Sequence, residues 1–458
     1  MKNFVHHLPI LVGILCLLSL LTACQQEYKT TTATYTFEKV DMPPIEHSHF
    51  SNFYVGSDST LLLSFLEKKD RVTRLRYTAL ATKEGASWTT PLTIAEGYDW
   101  FVNWADFPSI SSLGDGTLLA HYLAKSGADT YAYDVNLTLN YKGIWSSPVV
   151  PHKDKTQTEH GFVSIFPMES NTAGVIWLDG RAFAKKEGKE TKKEGKKGKK
   201  KTHKDKEENK KETVAKDTSA TTEGHGHHEA HGHAGAMSLR FATIDNKRKV
   251  TQDIVIDSMV CECCQTDVVK TKNGAVVVYR NRSEKEIRDI YYSEWNKSTA
   301  EWSAGKPVHE DNWQIAGCPV NGPAVDALAD TVVVAWFTHA QNKPQVFLAF
   351  STDLTKGFSK PISIDEGKPF GRVEVKLLAN GKALVSWLEA KEDDDKMVNL
   401  STRLVQQNGT RSETVIVSEM SAERASGFPK MTNFNNATYI TWTDVADTTS
   451  IKIAKAIF

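Results

Sequence analysis

The feature that most constrains this chain is a short strand-like segment that recurs seven times. The copies are LLLSFLE ending at Glu67, TLLAHYLA at Ala124, AGVIWLD at Asp179, AVVVYRN at Asn281, VVVAWFT at Thr338, ALVSWLE at Glu389 and TYITWTD at Asp444. Each is an apolar run that reaches an aromatic, then one more residue, then usually a polar one. The aromatics are Phe65, Tyr122, Trp177, Tyr279, Trp336, Trp387 and Trp442. Successive spacings are 57, 55, 102, 57, 51 and 55 residues. The long interval contains a 53-residue Lys/His-rich stretch at 184–236, without which it falls to 49.

Runs of this kind, bounded by Gly, Asn and Asp, are β-strands. Another strand-like run precedes each copy and two more follow. Four strands in roughly 50 residues make the blade of a β-propeller, because one small sheet buries its faces only by packing on its neighbours. The fold class expected is therefore all-β, a propeller of four-stranded blades. Seven blades are predicted, six being the alternative if one unit is irregular. The last unit, 425–458, has only three strands, while ATYTFEKV at 33–40 is a spare one. Pairing between them would close the ring and remove exposed edges.

Before the propeller, Lys2 is followed by an apolar run from Leu8 to Leu21 that is too short to span a bilayer. Leu21-Thr22-Ala23-Cys24 resembles a bacterial lipobox. That resemblance implies a signal peptide at 1–23 and lipidation of Cys24, which leaves a lipidated tether at 24–32 before the propeller expected at 33–458. The expected location is the bacterial cell envelope, on a periplasmic or surface-exposed membrane face. The membrane is then a partner through the acyl anchor, and disulfides are permitted. A formal net charge of zero argues against nucleic acid as a partner. The chain is expected to be a monomer.

The turns between third and fourth strands resemble worn Asp-boxes of the sialidase superfamily. Gly85 and Trp88 keep the Gly-to-Trp spacing, Ser351 and Asp353 keep Ser-x-Asp ahead of Gly357-Phe358, and Ser293, Trp295 and Trp302 are looser. The resemblance spans most of 45–458 and implies a sialidase-like propeller. It departs from the enzymes of that superfamily in lacking Arg-Ile-Pro near its start and in offering no assignable arginine triad or Tyr/Glu pair. Catalytic residues are therefore left unassigned.

In a four-stranded blade, the ends of second strands share a face with the loops entering each blade. That face is expected to carry Glu67, Asp179, Arg181, Asn281, Arg282, His339, Glu389 and Asp444 from strand ends. His47, His49, Asp106, His160, Asp267, Asn321 and Arg372 come from entry loops. Ligands bind by default in such a mouth. The ligand-binding candidates are Arg181, Arg280, Arg282, His339, Arg372, Glu389 and Asp444, because guanidinium forks match carboxylates. The structural alternative is Arg–Asp pairing between blades, such as Asp179 with Arg280 or Arg282.

Three of the six cysteines lie in VCECCQT, namely Cys261, Cys263 and Cys264, before blade 4. Cys318 lies before blade 5. Neighbouring entry loops bring the four together. One reading is two disulfides, Cys318 with one of the three and a second between the remaining two, and the compartment favours at least one. A soft Cu or Zn site on the same thiols is the alternative. The 184–236 insertion, with 15 Lys and 10 acidic residues, cannot bury a core and is expected to be disordered. Its end carries His225, His227, His228, His231 and His233, a transition-metal-binding composition. Three functions follow. The first is an envelope-anchored binding module for an anionic or glycan ligand. The others are a sialidase-type glycoside hydrolase and an envelope Cu/Zn-binding protein.

Overall fold

A computed structural model describes residues 28–42, 45–81, 87–184 and 235–458. The expected signal peptide, Cys24, Gly85 and the five insertion histidines lie outside these residues. The described chain is all-β apart from short 3-10 turns, and its strands form seven sheets. Blades 1 to 6 follow one another along the chain. Their second strands are Leu61–Lys69, Leu118–Lys125, Thr172–Asp179, Gly274–Arg280, Thr331–Thr338 and Ala383–Ala390. Blade 7 takes Lys430–Phe434, Ala437–Val445 and Thr449–Ile457, and its fourth strand is Thr36–Lys39. That strand pairs antiparallel with the C-terminal one, Thr36 opposite Ile457. The ring is thus seven-bladed and closed by the N-terminal strand. A second tie was not foreseen: Thr30–Thr31 pairs in parallel with Arg411–Ser412 at the edge of blade 6.

The apolar runs are continuous because a second strand is packed on both sides. All seven repeat aromatics are buried. The buried apolar residues divide into seven clusters, one at each junction between neighbouring blades. At the blade 2–3 junction, Leu119, Val135 and Leu137 meet Val175 and Trp177.

The polar residue two places after the aromatic has its own cause. An indole N–H buried between sheets requires an acceptor. Trp177 Nε1 donates to Asp179 Oδ2 at 2.8 Å, and Trp387 Nε1 to Glu389 Oε2 at 2.5 Å. Trp336 is followed by Phe-Thr and draws its acceptor from elsewhere, Asp311 Oδ2 at 2.7 Å.

Antiparallel pairing sets Ser48 opposite Glu67, His160 opposite Asp179 and Pro369 opposite Glu389. The starts of innermost strands and the ends of second strands therefore share one face. Blades 1, 3 and 6 each open with a bulge whose non-glycine residue has positive φ: Phe50 at 55°, Phe162 at 53° and Arg372 at 51°. A bulge frees an amide from the ladder, and the preceding blade or its entry loop caps each one. Phe50 N donates to Thr443 Oγ1, Phe162 N to Asp106 Oδ1 and Arg372 N to Asn321 Oδ1, at 3.0, 2.8 and 2.8 Å.

Candidate functional site

On the entry-loop face the start of blade 6 meets the loops entering blades 2 and 7. Arg372 lies 4.8 Å over the Trp104 ring and 5.7 Å over Phe428, and the two rings stack at 5.5 Å. Its guanidinium donates to Ser426 Oγ and Gly427 O, both at 2.7 Å. It is buried, and burial followed by the charge of Arg424 lowers its pKa to about 10. Arg372 thus ties the start of blade 6 to the loops entering blades 2 and 7.

The other candidates also have internal partners. Arg280 is buried, donates to the carbonyls of Asn321, Arg288 and Phe337, and lies 4.9 Å over Trp313. Arg181 donates to both oxygens of Asp179, at 2.7 and 2.6 Å, and pairs with Asp154 at 3.3 Å and Asp253 at 3.1 Å. The partner of Asp179 is therefore Arg181 in its own loop, and not Arg280 or Arg282. Arg282 pairs with Glu262 and Glu286. Glu389 accepts Trp387 Nε1 and the amides of Glu366 and Lys368. Burial raises its pKa. Asp444 pairs with Lys452 at 3.6 Å, and the His339 ring lies 6.4 Å from Trp313.

The cysteine loop reaches its predicted place. Val260 ends blade 3, opposite Met237, and Asp267 begins blade 4. Cys263 forms a disulfide with Cys318, joining the loops that enter blades 4 and 5. Cys261 and Cys264 remain as thiols, both buried, with sulfurs 3.4 Å apart. Arg288 Nη1 donates to Cys261 Sγ at 3.2 Å, and Glu262 and Glu286 hold the same guanidinium at 2.7 and 2.9 Å. Burial opposes ionisation of Cys261, but the hydrogen-bonding contact with Cys264 and the charge of Arg288 outweigh it and bring the thiol down to about 6. Burial and the neighbouring Cys261 push Cys264 well above the ordinary thiol range. Cys261 is thus the more acidic of the two and lies beside a fixed cation.

Three groups among the described residues have the donor types and spacing of a metal site: Cys261, Cys263 and Cys264; Asp134, His152 and His160; and Asp154, His160 and Asp179. Of these, the cysteines, Asp179 and His160 were singled out from the sequence. Arg288, which sets the charge at Cys261, and His152, Asp154 and Asp134 were not. The only sequence signal for the last group was PHKD at 151–154, a histidine and an acid shortly before His160.

No family model matches the chain, and no curated protein sequence matches it. Solved structures do. A protein of unknown function from Dyadobacter fermentans is 11% identical, with a TM-score of 0.47, over 92% of this chain and 97% of that one. The polysaccharide lyase Uly1 is 8% identical, with a TM-score of 0.47, over 94% and 92%. Trypanosoma rangeli sialidase in complex with the inhibitor DANA is 10% identical, with a TM-score of 0.41, over 80% of this chain and 56% of that one. The chain is similar to these structures along most of its length, while its seven-bladed architecture rests on the strand pairing given above.

Proposed function

We propose that this is an envelope lipoprotein, anchored through Cys24, whose propeller presents a two-cysteine site for a soft monovalent metal, Cu(I). The observation that carries this reading is the buried Cys261–Cys264 pair, sulfurs 3.4 Å apart, with Arg288 against Cys261. Thiolates select Cu(I) among the common cations. Two thiolates around Cu(I) carry one net negative charge beside the Arg288 guanidinium, which Glu262 and Glu286 hold in place. Zn²⁺ would need about four ligands, and Cys263 and Cys318 are committed to each other.

The test uses untagged full-length chain in which the histidines at 225, 227, 228, 231 and 233 are replaced by alanine. Thiols are counted under denaturing, non-reducing conditions, and Cu(I) is then titrated against a colorimetric chelator. Two free thiols from this pair and one equivalent of retained Cu(I) are expected. That copper is lost in Cys261→Ser and Cys264→Ser and kept when Cys263 and Cys318 are both changed to serine. A chain that has both thiols free and yields all its Cu(I) to the chelator refutes the reading. So does a pair found oxidised as purified.

The second reading is an acidic glycan at the rim of the mouth. It is favoured by the partial exposure of Arg181 and Arg282, 22% and 25%, which lets either exchange an internal carboxylate for one on a ligand. Binding of acidic oligosaccharides that is lost in Arg282→Ala, or turnover of a fluorogenic sialoside, would support it. Neither binding nor turnover across a panel would remove it.

A further inference from the structure

Four sulfurs meet where the loops entering blades 4 and 5 touch, and they differ in redox state and in reach. Cys263 and Cys318 are bonded to each other and half-buried, so solutes can approach their sulfurs. Cys261 and Cys264 are thiols, 1% and 2% exposed. A buried dithiol thus lies directly behind a partly exposed disulfide.

The distances suit transfer between the two pairs. Cys261 Sγ is 3.9 Å from Cys263 Sγ and 3.4 Å from Cys264 Sγ. The sulfurs of Cys261, Cys263 and Cys264 all lie within 4.8 Å of one another, a group to which Cys318 does not belong. Cys263 is therefore the point of attack and Cys318 the leaving sulfur.

The chemistry suits it as well. Thiol–disulfide exchange is the attack of an anionic sulfur on a disulfide sulfur, through a mixed disulfide. Arg288 Nη1 lies 3.2 Å from Cys261 Sγ and donates to it, a contact that favours the anionic form. The guanidinium is buried and held by Glu262 and Glu286, so it cannot swing away. Cys261 and Cys264 are also spaced C-x-x-C, as redox-active cysteine pairs are.

We infer that the four cysteines form a thiol–disulfide exchange unit, in which the buried Cys261–Cys264 pair passes two electrons to the Cys263–Cys318 disulfide. In the first step Cys261 Sγ attacks Cys263 Sγ. The Cys261–Cys263 bond forms, the Cys263–Cys318 bond breaks, and Cys318 leaves with the electron pair and takes up the proton that Cys261 gave. In the second step Cys264 Sγ attacks Cys261 Sγ. The Cys261–Cys264 bond forms, the Cys261–Cys263 bond breaks, and Cys263 leaves and takes up the proton of Cys264. One disulfide and two thiols stand on each side, so no outside oxidant or reductant enters. The product presents a dithiol to small-molecule disulfides in solution. Its buried pair, now bonded, can no longer hold Cu(I), so the outer bond sets whether that site is open. Only this last consequence rests on the copper reading.

The experiment uses the metal-free full chain at neutral pH without oxygen. Native protein is incubated with a maleimide carried on a polyethylene glycol too bulky to reach buried sulfurs. Bonds and labels are then mapped by mass spectrometry of acid-quenched peptides. The expected product carries label on Cys263 and Cys318 and a bond between Cys261 and Cys264. Cys264→Ser should stop at the first step, with label on Cys318 and Cys261 bonded to Cys263. Cys261→Ser should abolish labelling of Cys318. Label on Cys261 or Cys264 with the Cys263–Cys318 bond intact overturns the inference. So does the absence of any label on these four cysteines, or a chain isolated with none of them free. The wild-type arm needs no substitution, so a variant that fails to fold leaves the test standing. Cu(I) retention is scored separately. A chain that holds Cu(I) without exchanging loses this inference alone, and one that exchanges without holding Cu(I) loses the copper reading alone.

Discussion

Asp106 offers a quantitative test of how the entry-loop face is held together. Its carboxyl is 2% exposed. Oδ1 accepts the bulged amide of Phe162 at 2.8 Å, and Oδ2 lies 3.0 Å from the Tyr133 hydroxyl, which shares its one hydrogen with Glu159 Oε1. Burial outweighs both hydrogen bonds and raises its pKa from 3.8 to about 7. A carboxyl with a folded pKa above its unfolded one makes its full contribution to stability below the unfolded value. That contribution is lost as pH rises through the folded value. At 1.36 kcal/mol per pH unit the whole loss is about 4 kcal/mol, of which nearly 3 kcal/mol falls between pH 5 and pH 8. Asp106→Asn keeps both contacts. The amide oxygen caps Phe162, the amide nitrogen donates to the Tyr133 oxygen, and the Tyr133 hydroxyl still reaches Glu159 Oε1 at 2.7 Å. The variant has no charge to bury, so its stability relative to wild type should rise by about 3 kcal/mol from pH 5 to pH 8. Guanidinium unfolding of both proteins at the two pH values measures this. A difference that stays constant with pH would refute the assignment of a buried, protonatable carboxyl.

Other perturbations address the remaining ties. Replacing Cys263 and Cys318 by serine opens a link spanning 55 residues, for which chain entropy gives a loss of about 4 kcal/mol in unfolding free energy. An unchanged denaturation midpoint would show that the blade 4–5 tie is inert. Removing residues 24–40 deletes the closing strand and the Tyr35 hydroxyl contact with Thr402 at 3.0 Å. The truncated chain should unfold at lower temperature and self-associate through the exposed edge, seen by sedimentation, whereas a monomer of unchanged melting temperature would contradict closure by that strand. Arg372→Met keeps the bulk over Trp104 but removes the donor from the Gly427 carbonyl, at a cost of about 1–3 kcal/mol. A neutral effect on chemical denaturation would argue against Arg372 as the tie between blade 6 and the loops entering blades 2 and 7.

Much of the architecture is visible in the sequence because its cause is local and repeated. A second strand packed on both sides must be apolar throughout, and every blade states that requirement again. The spare strand at 33–40 and the three-stranded last unit similarly make ring closure readable. The site is less legible. Asp179 and Glu389 stand where a ligand group would stand, but their carboxylates serve the indoles two residues before them. Arg280 sits in an Arg-rich stretch but is consumed by three backbone carbonyls. Sequence position shows that such a residue reaches the face and is silent on which partner takes its hydrogen bonds.

By itself the sequence pointed to seven blades, with six as the alternative, to the strand that closes them and to the neighbourhood of Cys261, Cys263, Cys264 and Cys318, since all of these follow from periodicity. Only the tertiary structure decided which cysteine bonds Cys318, which guanidinium lies against Cys261, and that His152 stacks on His160 between Asp134 and Asp154. Those choices are made within and between the loops at blade junctions, by distances of a few ångströms.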